Sequence, residues 1–204
     1  MSRPLTHAYR LVSDQVDTRE VELVLSELAR ACADTPDGAV VEFGCYVGTT
    51  SLFISRWLSI QKCPREFHVY DSFQGLPEKT SRDQSRAGDQ FVAGALAASK
   101  KQFVLNYKKA SLPLPIIHKG WFNELTRDDL PEKIAFAFLD GDYYESIATS
   151  LQLAWPRLLP GAVVVIDDYA NEALPGAARA VDEWLRAHHV RSKRVEHSLA
   201  ILGV

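Results

Sequence analysis

Ala39-Val40-Val41-Glu42-Phe43-Gly44-Cys45-Tyr46-Val47-Gly48, running on into Thr49–Ile60, is the stretch that decides the fold. A short apolar run such as Ala39–Phe43 is typical of a strand buried on both faces of a sheet. Gly44 and Gly48 then mark a turn. Beyond it Leu52, Phe53, Ile54 and Leu58 recur at helical spacing, so the unit reads strand, turn, helix.

Working outward, the same alternation continues. Further strands are predicted at Phe67–Tyr70 ending in Asp71, Pro115–His118, Ile134–Leu139 ending in Asp140, and Ala162–Ile166 ending in Asp167 and Asp168. Helical patterns cover Val16–Cys32, Phe91–Asn106, Glu145–Trp155 and Gly176–His188. Alternating strands and helices imply a mostly parallel sheet joined by right-handed crossovers, flanked by helices. Extended runs around Val195 and at Ser198–Leu202 add an antiparallel hairpin on the C-terminal edge and bring the sheet to seven strands. The expectation is one α/β domain over residues 1–204, with an N-terminal helical segment at 1–37. Residues 78–106 interrupt the alternation with a polar loop and read as a lid or substrate-loop insertion, or as a plain surface excursion.

The bulk numbers narrow the class. The 204 residues are 47% hydrophobic and carry a formal net charge of -3, which suits one sizeable core and gives no electrostatic footprint for nucleic acid or an anionic membrane. Cys32, Cys45 and Cys63 form an odd set without metal-ligand spacing, so a reducing, cytoplasmic setting is expected. The opening Met1-Ser2-Arg3-Pro4 leads into no apolar signal core, and no run approaches a membrane span.

Ligands of open parallel sheets bind beyond the carboxyl ends of the strands. Here those ends carry Glu42, Asp71, Asp140, Asp167 and Asp168. The Gly44–Gly48 loop lacks the G-x-G-x-x-G spacing of a dinucleotide site and opens with a carboxylate, which suits a cationic cofactor better than a diphosphate. Asp71 is placed to accept hydrogen bonds from ribose hydroxyls, or else to cap a turn. Asp140, Asp167 and Asp168 would repel one another unless a proton or cation intervenes, and oxygen-only donors favour Mg2+, Mn2+ or Ca2+. Helix capping by some of these acids is the alternative. His68 and His118 read as packing within strands.

The longer motifs carry a resemblance. Glu42–Gly48 resembles the first cofactor motif of catechol-type O-methyltransferases. Tyr70-Asp71-Ser72-Phe73-Gln74-Gly75-Leu76-Pro77-Glu78, Lys119-Gly120-Trp121-Phe122, Leu139-Asp140-Gly141-Asp142 with Tyr144-Glu145-Ser146, and Ile166-Asp167-Asp168-Tyr169 are closer to one subgroup. In order and spacing they resemble the macrocin O-methyltransferase family (TylF/MycF type), from about Val40 to His188. The resemblance implies a Rossmann-like class I methyltransferase fold with S-adenosylmethionine as cofactor.

It also implies roles. Glu42, Gly44, Tyr46, Gly48 and Thr50 would line the methionine end, Asp71 would bind the ribose, and Ser72 and Phe73 would flank the adenosine. Gly120, Trp121 and Phe122 would lie near the adenine. Asp140, Asp167 and Asp168 match the metal carboxylates, with Mg2+ (or Mn2+ or Ca2+) expected. Asp140 or Asp142 would be the general base, because Tyr143 and Tyr144 stand where catechol-type enzymes carry a lysine. The acceptor would be a small molecule, either a sugar of a natural product or a vicinal diol such as a catechol, and the chain a homodimer. Rival readings are a nicotinamide-dependent dehydrogenase, a metal-dependent hydrolase and a non-catalytic cofactor-binding module. The first conflicts with the glycine pattern, and the second leaves Glu42 and Asp71 unexplained.

Overall fold

The computed structural model describes residues 4–204, and Met1, Ser2 and Arg3, part of the start searched for a signal, lie outside them. A short helix α1 (Leu5–Ala8) precedes α2 (Thr18–Asp34), β1 (Ala39–Phe43), α3 (Thr49–Ile60), β2 (Phe67–Asp71), α4 (Lys100–Ala110) and β3 (Ile116–Lys119). Then follow β4 (Ile134–Leu139), α5 (Tyr144–Ala154), β5 (Leu158–Ile166), α6 (Pro175–Ala187), β6 (Ser192–Glu196) and β7 (Leu199–Gly203). The seven strands lie in the order β3-β2-β1-β4-β5-β7-β6. The pairs from β3 to β5 are parallel, and β7 runs antiparallel to both β5 and β6.

The pleat sorts each strand between two cores. Val40, Val69, Phe136, Phe138 and Val163 pack under α2, α3 and α4. Val41, Phe43, Ala137, Leu139 and Val164 face α5 and α6. Because both faces are covered, β1 and β4 are buried along their whole length, which is why they are apolar runs broken only by Glu42. Chain order reverses between β1 and β4, the switch point at which a parallel sheet opens a crevice.

Local chemistry sets the boundaries. Asp17 caps α2 by accepting from the Arg19 and Glu20 amides at 2.8 and 2.9 Å, and Glu20 returns the contact to the Asp17 amide at 2.8 Å. That box starts α2 at Thr18 rather than at Val16. The helix expected over Phe91–Asn106 begins only at Lys100, where Ser99 accepts from the Gln102 amide. Upstream, Gly94 and Leu96 adopt φ of 78° and 55°, which ends any helix there. Phe91 and Leu96 line the cavity described below. No described helix is long and apolar enough to cross a membrane.

Candidate active site

The loop after β1 is shaped by close approach. Gly44 has φ of 86°, and a Cβ there would lie 1.8 Å from the Asp140 carbonyl oxygen. Tyr46 takes φ of 48°, and Gly48, at φ of 90°, leads into α3 with Phe103 packed where a side chain would be. Asp71 ties this loop to the end of β2. Its Oδ2 accepts from the Cys45 and Tyr46 amides at 2.8 and 3.0 Å, and its Oδ1 accepts from the Phe73 amide at 2.6 Å. Gly120 donates its amide to the Asp71 carbonyl at 3.0 Å, bringing Trp121 and Phe122 alongside.

Across the switch point lies the acidic half. The Asp140 amide donates to the Phe43 carbonyl at 2.8 Å, and the Asp167 amide to the Leu139 carbonyl at 2.9 Å, so three strand ends converge. Carboxylate oxygens of Asp140, Asp142 and Asp168 come within 4.8 Å of one another. Asp142 and Asp168 hold φ of 59° and 58°, left-handed conformations that cost a non-glycine residue of order 1–3 kcal/mol. Asp167, expected in this set, lines the same cavity beside it and is the strongest neighbouring charge on Asp140. The Asp167 Oδ1 accepts from the Asp168 amide at 2.7 Å and lies 3.1 Å from the Ser198 hydroxyl oxygen. Asn171 donates to Asp168 at 2.7 Å.

Burial and mutual repulsion govern the charges. Loss of solvent, then the neighbouring carboxylates, pushes Asp140, Asp142 and Asp167 well above the usual range. Burial raises Asp168 to about 6. Glu42 lies beneath the loop with 1% exposure, accepts a hydrogen bond from Ser51, and is raised by burial to about 8.

These groups surround a cavity of about 650 Å3. Of the residues expected at the site, Gly44, Tyr46, Asp71, Ser72, Trp121, Phe122, Asp140, Asp142, Asp167 and Asp168 line it. Glu42, Gly48, Thr50, Phe73 and Gly120 are not in its wall; Phe73 packs on Phe103 in the core. Leu76, Pro77, Phe91, Leu96 and Leu174 form an apolar wall on the side of the insertion. Gln15, Glu20 and Ser198 close the opposite rim, the Ser198 hydroxyl donating to Glu20 at 2.7 Å. Sequence reasoning missed Glu20, Asn171, Leu174 and Ser198. Glu20 reads only as half of a capping box, and the others show no signal before the chain is folded.

His68 and His118 sit at 3.1 Å in a stacked ladder with Tyr70, away from the cavity, in the packing role read from the sequence. Cys32, Cys45 and Cys63 are free thiols.

The Macrocin-O-methyltransferase (TylF) family profile matches residues 13–197. The chain is 34% identical over 149 residues to the 8-demethyl-8-(2,3-dimethoxy-alpha-L-rhamnosyl)-tetracenomycin-C 4'-O-methyltransferase of Streptomyces olivaceus, covering 69% of this chain and 56% of that protein. It is 29% identical to the mycinamicin III 3''-O-methyltransferase of Micromonospora griseorubida, covering 81% of this chain and 67% of the relative. The chain thus spans little more than half to two thirds of the length of these relatives. The solved O-methyltransferase NovP superposes with a TM-score of 0.75 at 22% identity, covering 91% of this chain and 79% of NovP, which establishes a shared fold.

Proposed function

The chain belongs to the macrocin O-methyltransferase (TylF) family, and from that premise we propose that it methylates a hydroxyl of a natural-product sugar, using S-adenosylmethionine. The observation that carries this reading is the meeting, at one switch point, of the Gly44–Asp71 loop pair with the Asp140, Asp142 and Asp168 carboxylates. An acid-lined cavity suits a cationic sulfonium and a hard cation together.

S-adenosylmethionine, when bound, supplies an electrophilic methyl group on a good leaving group, so the protein's task is alignment and a deprotonated nucleophile. Gly44 and Tyr46 would receive the methionine end, Asp71 and Ser72 the ribose, and Trp121 and Phe122 the adenine. Glu42 and Thr50 would support that loop from behind, with Gly48, Phe73 and Gly120 holding the surrounding turns. Asp140 or Asp142 would take the proton of the acceptor hydroxyl. The insertion at 78–106 supplies an apolar wall suited to the remainder of the acceptor, through Phe91 and Leu96.

The donor set also fits a divalent ion. Asp140, Asp142 and Asp168 offer only carboxylate oxygens, close enough to share one cation, and their raised proton affinities reflect burial first and, at Asp140 and Asp142, mutual repulsion second. Such an ion, when bound, would lower the pKa of a coordinated hydroxyl. Asp167 would support the set through the Asp168 amide.

Transfer of a labelled methyl group from S-adenosylmethionine to a panel of rhamnosides and catechols tests the reading, with and without prior chelation. Labelled glycoside, lost on chelation and restored by Mg2+, is expected. Label on catechols alone would favour the catechol-type alternative, and full activity in chelator would remove the metal from the account.

A further inference from the structure

The start of α5 has an unusual cap. Its first residues follow directly on the Asp140-Gly141-Asp142 loop, and the residue in the N-cap position, Tyr143, makes no side-chain cap. The exposed amide of Tyr144 is satisfied instead by Asp83, sixty-one residues earlier, whose Oδ1 accepts from it at 2.7 Å. A carboxylate at a helix N-terminus is stabilised by the free amides and the helix dipole. Asp83 is completely buried, and its Oδ2 accepts from the Thr80 amide at 3.0 Å and the Thr80 hydroxyl at 2.7 Å.

The surrounding chain makes room for this contact. A Cβ on Gly176, at the start of α6, would lie 2.0 Å from Asp83 Oδ1. A Cβ on Gly88 would lie 2.0 Å from the Ala173 carbonyl. Further ties run the same way. The Tyr143 hydroxyl donates to the Phe91 carbonyl at 3.0 Å, and the Ser85 hydroxyl to the Glu172 carbonyl at 2.6 Å. The insertion, α5 and α6 therefore meet at one buried carboxylate.

We infer that Asp83 is a positioning residue: by capping α5 from within the insertion, it fixes the wall formed by Phe91 and Leu96 against the loop carrying Asp140 and Asp142. The acceptor-side meaning of that wall rests on the function proposed above, whereas the mechanical coupling does not. Only a side chain with an acceptor atom at Oδ1 serves. Asp83→Asn retains the bond to Tyr144, reverses the contact to the Thr80 hydroxyl and gives up the one to the Thr80 amide, Asp83→Ala loses all of them, and Thr80→Val weakens only the insertion's side.

The test compares the intact protein with these three variants, each saturated with S-adenosylhomocysteine. Hydrogen exchange is read by segment, and Mn2+ affinity by electron paramagnetic resonance. In Asp83→Ala, residues 78–98 and 143–147 are expected to exchange at least tenfold faster together, while 39–50 and 67–71 keep their protection. Mn2+ affinity falls about tenfold, cofactor-product affinity stays within twofold, and Asp83→Asn restores most of both losses. Loosening of 78–98 alone in Asp83→Ala, the pattern expected of Thr80→Val, with unchanged Mn2+ affinity overturns the inference, because Asp83 would then be a local turn residue. Uniform loss of protection and of cofactor-product binding in Asp83→Ala, unrescued by asparagine, overturns it as well. If the unaltered protein takes no Mn2+, the metal reading falls alone, and the paired exchange of the two segments still decides about Asp83.

Discussion

Gly44 and Asp140 stand back to back at the carboxyl ends of β1 and β4, with room for a hydrogen but not for a methyl group between them: a Cβ on Gly44 would lie 1.8 Å from the Asp140 carbonyl oxygen. The cofactor loop and the acidic loop are thereby set against one another by backbone alone. The contact is what lets an apolar strand pair end in a site rather than in two separate turns.

Gly44→Ala should therefore damage the site and the fold together. Strain at φ of 86° and the clash each cost roughly 1–3 kcal/mol. A fall in melting temperature of about 5–15 °C is expected for a chain of this size, with S-adenosylhomocysteine binding weakened at least a hundredfold. Unchanged affinity in a folded variant would show that the two loops do not work as one.

Asp140→Asn should separate catalysis from stability. Removing a general base costs about 10²–10⁴-fold in rate. Removing one of several buried, mutually repelling carboxylates relieves the folded state, so the metal-free variant should melt higher than the unaltered protein. Calorimetric scanning beside a methyl-transfer assay reads both. A variant that is both less stable and fully active would contradict the charge assignment.

Divalent ions should stabilise the protein by mass action. A ligand at a hundred times its dissociation constant adds about 2.7 kcal/mol. Mg2+ or Mn2+ is expected to raise the melting temperature of chelator-treated protein near neutral pH, and Asp168→Asn should reduce that gain. Equal melting with and without the ions would argue against the carboxylate triad as a cation site.

Glu42 makes the cofactor-free protein sensitive to pH. Burial holds its folded carboxyl at about 8, against an ordinary 4.5. Between those values the folded state keeps a proton that the unfolded chain has lost, so stability is full below 4.5 and declines as pH rises toward 8. This group alone contributes a slope of up to about 1.4 kcal/mol per pH unit. Glu42→Gln preserves an acceptor for the Ser51 hydroxyl and removes the titration, so melting temperature should fall less steeply between about pH 5 and 8. An identical slope in the variant would mean that Glu42 is already charged in the folded protein.

Much of this was legible before folding, for physical reasons. β1 and β4 are buried on both faces, so their sequences are apolar runs broken only by Glu42, and Asp71 and Asp140 stand out as acids at strand ends. What stayed hidden was direction. Asp167 and Asp168 are neighbours with the same side chain, yet only folding shows that Asp168 takes a left-handed backbone beside Asp140 and Asp142 while Asp167 accepts from the Asp168 amide. Phe91 and Leu96 fall within the stretch read as a helix, Phe91–Asn106, but they are an irregular wall of the cavity. Asp83 reads as one more acid in a polar loop, because its partner Tyr144 is remote in sequence.

The most direct test of the central claim is calorimetric titration of the pure protein with S-adenosylmethionine, S-adenosylhomocysteine and NAD, each with and without Mg2+. The account predicts micromolar-range binding of the two sulfur nucleosides, none of NAD, and the loss of both affinities in Gly44→Ala. Failure of both adenosyl compounds to bind under either condition would contradict it and return the aspartate group to a metal-dependent hydrolase reading.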